Sequence, residues 1–142
     1  MAMLVGGIFT MFDISASGLR AERARMNVHA NNLANINTLN GEDGEPYRRR
    51  LVYFREGAPE ITGSSKLGVS VDREEKDYDT AFGLKFDPGH PNADEDGYVR
   101  LPNVQAPVEM VDMMMASRAF EANLTTMDTA KQIHSGALRI IA

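Results

Sequence analysis

The sequence predicts a mainly helical α+β fold, in which two long terminal helices pack as a coiled-coil-like pair with a small antiparallel β-rich insert between them. Two uneven residue distributions indicate this division. All nine methionines lie in residues 1–40 and 104–142, whereas all four tyrosines lie in residues 41–103. The middle stretch also holds fourteen of the twenty acidic residues and five of the six prolines. We therefore expect an N-terminal helical segment (1–40), a β-rich insert (41–103) and a C-terminal helix (104–142).

The composition argues against several classes of protein. Without cysteine, the chain has no disulfide framework, no thiolate metal site and no cysteine nucleophile. A formal net charge of −5 argues against general nucleic-acid binding. The sequence also lacks a Ser-His-Asp spacing, a phosphate-binding glycine loop and a nucleotide fingerprint. We therefore expect no enzymatic activity and no cofactor.

The first twelve residues are uncharged and mostly apolar. A membrane-spanning helix needs about 20 apolar residues, and a secretory signal needs a cationic start. Neither pattern is present, so we expect an adhesive, poorly ordered tail. If the protein is exported, we expect it to leave without a cleaved signal peptide.

An N-terminal helix is predicted from about Thr10 to about Thr38. Thr10 followed by Asp13 resembles a capping box, and Asn40-Gly41 is typical of a helix end. Apolar side chains recur at intervals of seven residues, as they do in coiled coils. This stripe consists of Phe12, Leu19, Met26 and Leu33.

The same helix is rich in asparagine, which is a mediocre helix former. Two interpretations remain open: polar pairing across helix interfaces, which fixes register, or a solvated, frayed helix end. The residues concerned are Asn27, Asn31, Asn32, Asn35 and Asn37.

A C-terminal helix of about 36 residues is predicted, with Pro107 in its first turn. Its main stripe recurs every seven residues, and a second, interleaved row runs beside it. The main stripe is Met113, Phe120, Met127, His134 and Ile141, and the interleaved row is Met110, Ser117, Leu124 and Leu138. The two helices together carry more apolar surface than one pair can bury, so we expect neighbouring subunits to cover part of it.

Four short strands are predicted in the insert, at residues 47–54, 67–71, 82–86 and 98–101, with a turn at Asp96-Gly97. The run Arg48-Arg49-Arg50 is interpreted as a solvated or salt-bridged strand rather than a phosphate site. The residues Asp87, His90 and 94–96 have metal-ligand chemistry, but an EF-hand frame starting at residue 87 or 94 lacks its closing glutamate. Turn chemistry explains these residues without an ion, so we expect no metal site.

Several runs of the sequence resemble the flagellar basal-body rod protein family. The N-terminal run is Ala-Asn-Asn-Leu-Ala-Asn-Ile-Asn-Thr at residues 30–38, after Ser-Gly-Leu at 17–19. The C-terminal runs are residues 109–113 and 116–123, and the linking runs at 86–91 and 97–104 resemble a proximal-rod member. The chain departs from the family pattern at Phe120, where relatives often have tyrosine, and at Asn37, where a small residue is common.

The resemblance implies a structural subunit of the proximal rod, the drive shaft between the membrane ring and the distal rod and hook. It further implies transit through the flagellar type III export apparatus, contacts with other rod proteins and with an adaptor to the membrane ring, and assembly through the terminal helices. We expect the assembly interface to comprise Phe12, Leu19, Met26, Asn31, Asn32, Leu33, Asn35, Met110, Met113, Phe120, Asn123, Leu124, Met127, Leu138 and Ile141.

Other interpretations stay open at this point. A soluble helical adaptor would bind one partner through the C-terminal stripe, and a metal-dependent enzyme would be centred on His90. For a rod subunit, we expect one or both helices to be partly disordered in the monomer and to fold on assembly.

Overall fold

The computed structural model describes residues 2–41, 44–57 and 67–141, with side chains from Thr10 to Arg139 within those ranges. The helix α1 (Ala2–Ala34) is followed by four strands and a second long helix. The strands are β1 (Arg50–Glu56), β2 (Val69–Lys76), β3 (Gly83–Phe86) and β4 (Tyr98–Leu101), and the second helix is α2 (Ala106–Ile141). The predicted class, a helix pair around a small antiparallel insert, is confirmed.

The two helices pack against each other in antiparallel orientation. Gly18 of α1 lies against Asn123 of α2, and further along α1 His29 meets Glu109, which precedes Asn123. A methyl group on Gly18 would come within 2.8 Å of the Asn123 amide nitrogen. The absence of a side chain at Gly18 therefore permits this close approach of the helices.

Small side chains form the buried seam between the helices. The fully buried positions on α1 include Ser17, Ala21, Val28 and Asn32, and those on α2 are Glu109, Ala116 and Ala130. The predicted α1 stripe is only partly buried beside this line. The large members of the interleaved α2 row lie exposed on the helix pair: Met110, Leu124 and Leu138. Small residues take the seam because they let the backbones approach more closely than leucine or methionine would.

The ends of α1 differ from the prediction, whereas α2 follows it. The helix α1 begins at Ala2, so the expectations of a poorly ordered tail and of a cap at Thr10 were wrong. The two glycines of this stretch cost only about 1 kcal/mol each relative to alanine in a helix, which is too little to end it. At its other end, α1 ends at Ala34. A turn follows, in which the Thr38 amide donates to the Asn35 carbonyl at 3.0 Å. The helix α2 has the expected 36 residues.

The insert consists of two separate two-stranded antiparallel sheets, β1–β2 and β3–β4. The strand pair β1–β2 packs against α1, and its register places Arg50 opposite Lys76 and Glu56 opposite Val69, with an irregularity at Tyr53/Phe54. All four strands were predicted, but β1 and β2 extend two and five residues beyond the expected ends. Within the described part of the chain, neither helix combines the length and apolar character needed to cross a membrane.

Candidate functional site

The least expected feature is a buried carboxylate, Glu109, in the first turn of α2. The side chain is 1% exposed and accepts hydrogen bonds from two other elements. His29 Nδ1 of α1 lies 2.6 Å from Oε2, and Asn32 Nδ2 lies 3.1 Å from the same oxygen. From the segment before β1, Arg49 Nε donates to Oε1 at 2.5 Å. We call these residues, together with Asn103, the polar junction.

Burial and hydrogen bonding act on the Glu109 carboxylate in opposite directions. Burial alone would raise its pKa, because a low-polarity surrounding disfavours the charged form. The hydrogen bonds from His29, Asn32 and Arg49, with the positive charge of Arg49, outweigh burial and hold the pKa below its ordinary value. Glu109 is therefore held as a carboxylate anion by its donors.

Asn32 joins the end of α1 to the start of the first strand. Its Nδ2 donates to the Arg50 carbonyl at 2.9 Å, and its Oδ1 accepts from the Arg50 amide at 2.8 Å. The Tyr47 hydroxyl donates to the same Oδ1 at 3.0 Å, and burial raises the pKa of that hydroxyl. The asparagine side chain thus pairs with the backbone as a neighbouring strand would. Asn32 thus fits the first of the two interpretations of the asparagine-rich run, polar pairing across an interface, whereas Asn27, Asn31 and Asn37 are exposed.

Asn103, just before α2, forms hydrogen bonds that join the segment before β1 and the segment between β2 and β3 to the start of α2. Its Oδ1 accepts the Arg49 amide at 2.7 Å, and its Nδ2 donates to the carbonyls of Asp77 and Thr80, both at 3.1 Å. The segment after β2 is itself held by Asp77, whose carboxylate accepts from the Thr80 amide and hydroxyl. Burial would raise the pKa of Asp77, but these hydrogen bonds lower it.

This arrangement is a rigid joint between the helices and the insert. The helix α1 contributes His29 and Asn32, the strand segment contributes Arg49, and the start of α2 contributes Glu109. Because the partners are polar and Glu109 itself is buried, moving one element leaves an unpaired group whose desolvation is no longer offset. The geometry fixes the relative position of the elements and offers no reactive group.

The sequence prediction included one member of the junction and missed the others. Asn32 was expected at an interface, whereas no pairing was predicted for His29, Glu109 or Asn103. Glu109 lies seven residues before the buried Ala116 and hence on the same side of α2, but the sequence alone did not show that this side is the seam.

The remaining predicted interface residues divide into two sets by exposure. Partly buried members are Phe12, Leu19, Met26, Leu33, Asn35, Met113, Phe120, Asn123 and Met127. Exposed members are Asn31, Met110, Leu124 and Leu138. The side chain of Ile141 lies outside the described residues. A single chain does not test their role between subunits, so that role stays a prediction.

The acidic loop of the insert is organised by turn hydrogen bonds. His90 Nδ1 accepts from the Asn92 amide at 3.1 Å, and Asp94 Oδ1 accepts from the amides of Asp96 and Tyr98. Among the described residues, no three histidine or carboxylate side chains are placed to share a metal ion.

The three consecutive arginines have three different environments. Arg48 lies near the Glu45 carboxylate at 3.8 Å and against the rings of Tyr78 and Phe82. Arg49 belongs to the polar junction, where it also lies 3.5 Å from Asp112, and Arg50 is exposed. The salt-bridged interpretation therefore holds for the first two, although both precede β1.

Two family descriptions match the ends of the chain. The family described as "Flagella basal body rod protein" matches residues 12–40. The family described as "Flagellar basal body rod FlgEFG protein C-terminal" matches residues 95–140. These ranges include the asparagine-rich end of α1 and nearly all of α2.

Relatives match almost the full length. A flagellar basal-body rod protein FlgC of Borreliella burgdorferi is 40% identical over 153 residues, covering 95% of this chain and 98% of the relative. The FlgC of Aquifex aeolicus is 46% identical over 126 residues, covering 89% of this chain and 91% of the relative. The FlgC of Salmonella typhimurium is 39% identical over 128 residues, covering 89% of this chain and 92% of the relative. The chain belongs to the FlgC family of flagellar basal-body rod proteins.

Proposed function

We propose that this chain is a structural subunit of the flagellar proximal rod, which polymerises through its terminal helices into the shaft that carries torque from the membrane ring to the distal rod and hook. Its contacts are with copies of itself and with other rod proteins. We further propose that it meets an adaptor to the membrane ring and arrives through the flagellar type III export apparatus. No side chain has a catalytic role in this function.

One observation carries the proposal: the helix pair buries mainly small side chains and leaves many of its large ones exposed. Ala116 and Ala130 of α2 are at most 4% exposed. Eight larger apolar residues of the same helix are 42–63% exposed, namely Val108, Met110, Val111, Met114, Met115, Leu124, Ile133 and Leu138. A helix with apolar residues outside its own seam is typical of a segment that neighbouring molecules cover.

The gain from covering this surface is large enough for a stable polymer. Complete burial of one leucine, isoleucine or methionine side chain between subunits stabilises the assembly by roughly 1.5–3 kcal/mol. The exposed side chains lie on several sides of α2, so more than one neighbour is needed to cover them. Contacts between different surfaces of identical subunits generate a helical filament wherever the rotation between neighbours does not close into a ring.

The polar junction supports this function by making the subunit stiff. Torque passes along a shaft only if each subunit keeps its shape under load. The apolar faces of α2 and the insert are held in one relative position by Glu109 and its donors. Assembly contacts made by these surfaces therefore act on a single rigid unit.

The experiment replaces exposed apolar side chains without touching the seam. Met114→Gln/Met115→Gln keeps side-chain length, and both positions are more than half exposed, so the monomer should unfold as before. We expect the double variant to lose polymerisation with other rod proteins in sedimentation and to fail to restore motility in a strain lacking its own rod subunit. The matched control is Thr129→Gln, an exposed polar position on the same helix. A discrete complex of fixed size, instead of a polymer, would favour the adaptor function and contradict the proposal.

A further inference from the structure

The loop between α1 and β1 contains Asn40-Gly41, which is the only Asn-Gly pair in the sequence. Asparagine is one of the thermolabile residues. Its side-chain amide can be attacked by the backbone nitrogen of the next residue, and this attack is least hindered when that residue is glycine, which has no Cβ. Asn40 is exposed, so water has access to the reacting groups. The pair therefore has the chemistry of a site of spontaneous covalent modification.

The reaction is a deamidation, and it consumes only water. The Gly41 amide nitrogen loses its proton and forms a bond with Asn40 Cγ. The bond between Cγ and Nδ2 breaks, and Nδ2 leaves as ammonia after taking up a proton. Water then opens the resulting five-membered succinimide ring at either of its two carbonyls. Opening at one carbonyl yields aspartate, and opening at the other yields isoaspartate, in which the main chain runs through the side-chain carbon.

The folded loop holds the attacking nitrogen in a hydrogen bond. The Gly41 amide donates to the Glu45 carbonyl at 2.8 Å, and the Gly41 carbonyl accepts from the Gly44 amide at 3.1 Å. Further out, the Tyr47 amide donates to the Thr38 carbonyl at 2.9 Å. The proton that has to leave before the attack is thus already engaged, inside a loop that is closed by two layers of backbone hydrogen bonds.

The side chain under attack is held as well. Asn40 Oδ1 accepts from Asn92 Nδ2 at 2.9 Å, which ties it to a turn of the insert 52 residues away. Asn92 is itself fixed there, because its backbone amide donates to His90 Nδ1 at 3.1 Å. Ring closure requires one particular side-chain torsion of Asn40, and the bond to Asn92 limits the torsions that this side chain can sample.

We propose that Asn40 is a deamidation site whose reaction proceeds in the unfolded chain and is suppressed in the folded subunit. In the folded state the loop has to open first, and local opening costs free energy that the unfolded chain does not need. A chain that stays unfolded therefore acquires a permanent change in the loop that joins α1 to the insert. The change is an added negative charge and, in isoaspartate, a longer main chain. The proposal is independent of polymerisation, because it concerns the unassembled chain.

The test incubates the full-length chain at mildly alkaline pH, either folded in buffer or unfolded in guanidinium chloride, and measures deamidation by mass spectrometry of tryptic peptides. We expect Asn40 to convert at least about tenfold faster in the denaturant. Cleavage after Arg25 and Arg48 yields one peptide that carries its own controls. It contains five further asparagines, each followed by a residue with a side chain: Asn27, Asn31, Asn32, Asn35 and Asn37. These should convert more slowly than Asn40 in the denaturant.

Gly44→Ala tests the role of the loop in the folded state. Gly44 has φ +73°, which alanine adopts only with strain, although nothing lies within 4 Å of the added Cβ. We expect the folded variant to deamidate about fivefold faster or more than the parent protein, because the strain eases loop opening. The matched control is Gly89→Ala, whose added Cβ also meets nothing within 4 Å and whose φ lies outside the left-handed region. Its folded-state rate should equal that of the parent protein.

Any of three results would overturn the proposal. The first is conversion of Asn40 that is no faster in guanidinium chloride than in buffer. The second is conversion of another asparagine of the same peptide ahead of Asn40. The third is an equal rate for the folded Gly44→Ala and Gly89→Ala variants. Circular dichroism establishes that both variants are folded, and the comparison of the parent protein in the two solvents tests the proposal without either variant.

Discussion

Replacing Glu109 with glutamine tests whether the polar junction holds the subunit together. The substitution keeps the size of the side chain but removes its charge and turns one acceptor into a donor. If the new amide nitrogen faces Arg49, two donors meet where a 2.5 Å bond existed. If it faces the other way, it meets Asn32 Nδ2, which now donates at 3.1 Å. No orientation of the glutamine satisfies both sides.

The magnitude follows from the burial of the group. Removing one partner of a buried ion pair costs about 3–5 kcal/mol, because the other charge is left without compensation. Asp112→Asn is the matched control, since Asp112 lies 3.5 Å from Arg49 Nη2 but is 37% exposed. Exposed ion pairs contribute about 0–1 kcal/mol to the stability of a folded protein. Glu109→Gln should therefore destabilise the protein several times more than Asp112→Asn.

Urea unfolding of the monomer, followed by circular dichroism, measures both free energies. Because the folded-state pKa of Glu109 is lowered, its stabilising contribution is present above the unfolded-state pKa, about 4.3. That contribution is lost as pH falls through the lower folded-state pKa. The difference in unfolding free energy between the parent protein and Glu109→Gln should therefore become smaller in this acid range. Equal unfolding free energies for the two substitutions at neutral pH would refute the reasoning.

Three other outcomes are expected. Gly97→Ala should lower the unfolding free energy by about 1–2 kcal/mol, because Gly97 has φ +81° and an added methyl group would lie 3.1 Å from Phe86; thermal melting checks this. Leu33→Asp or Phe120→Asp should abolish motility in swimming assays, while His90→Ala should change it little, and the reverse order would favour a site at His90. The dilute monomer should be less helical by circular dichroism than the assembled protein and cleaved by protease near both termini; full helicity with resistant ends would contradict folding on assembly.

Periodicity and turn composition predicted the elements, because they depend on residues close in sequence. Apolar residues seven apart indicated both helices, and Asp96-Gly97 indicated the turn before β4. The periodicity of α1 did not predict its start, since an apolar run without charges is equally compatible with a tail. The helix continues back to Ala2, which the local pattern did not indicate.

The seam and the junction could not be predicted from local patterns. Periodicity did not tell the seam of α2 from its outer faces, and the closest helix packing selects Ala116 rather than Leu124 or Met110. The partners His29 and Glu109 are 80 residues apart. Nothing in the sequence around either residue indicates the other, so the pair becomes visible only after the two helices have been placed.

The seam of small residues also explains why the buried charge of Glu109 is useful for fixing the register of the two helices. Alanine and valine positions repeat along α1 and α2, so sliding one helix by a heptad, about 10.5 Å, would leave much of the apolar packing intact. The Glu109 carboxylate meets its donors at only one register, and any other register would leave a buried charge unpaired at a cost of several kcal/mol. Polar groups that contribute little net stability therefore select a single alignment. In a shaft under torque, this selection matters more than added stability, because a subunit that slips by one heptad would displace every contact surface it presents.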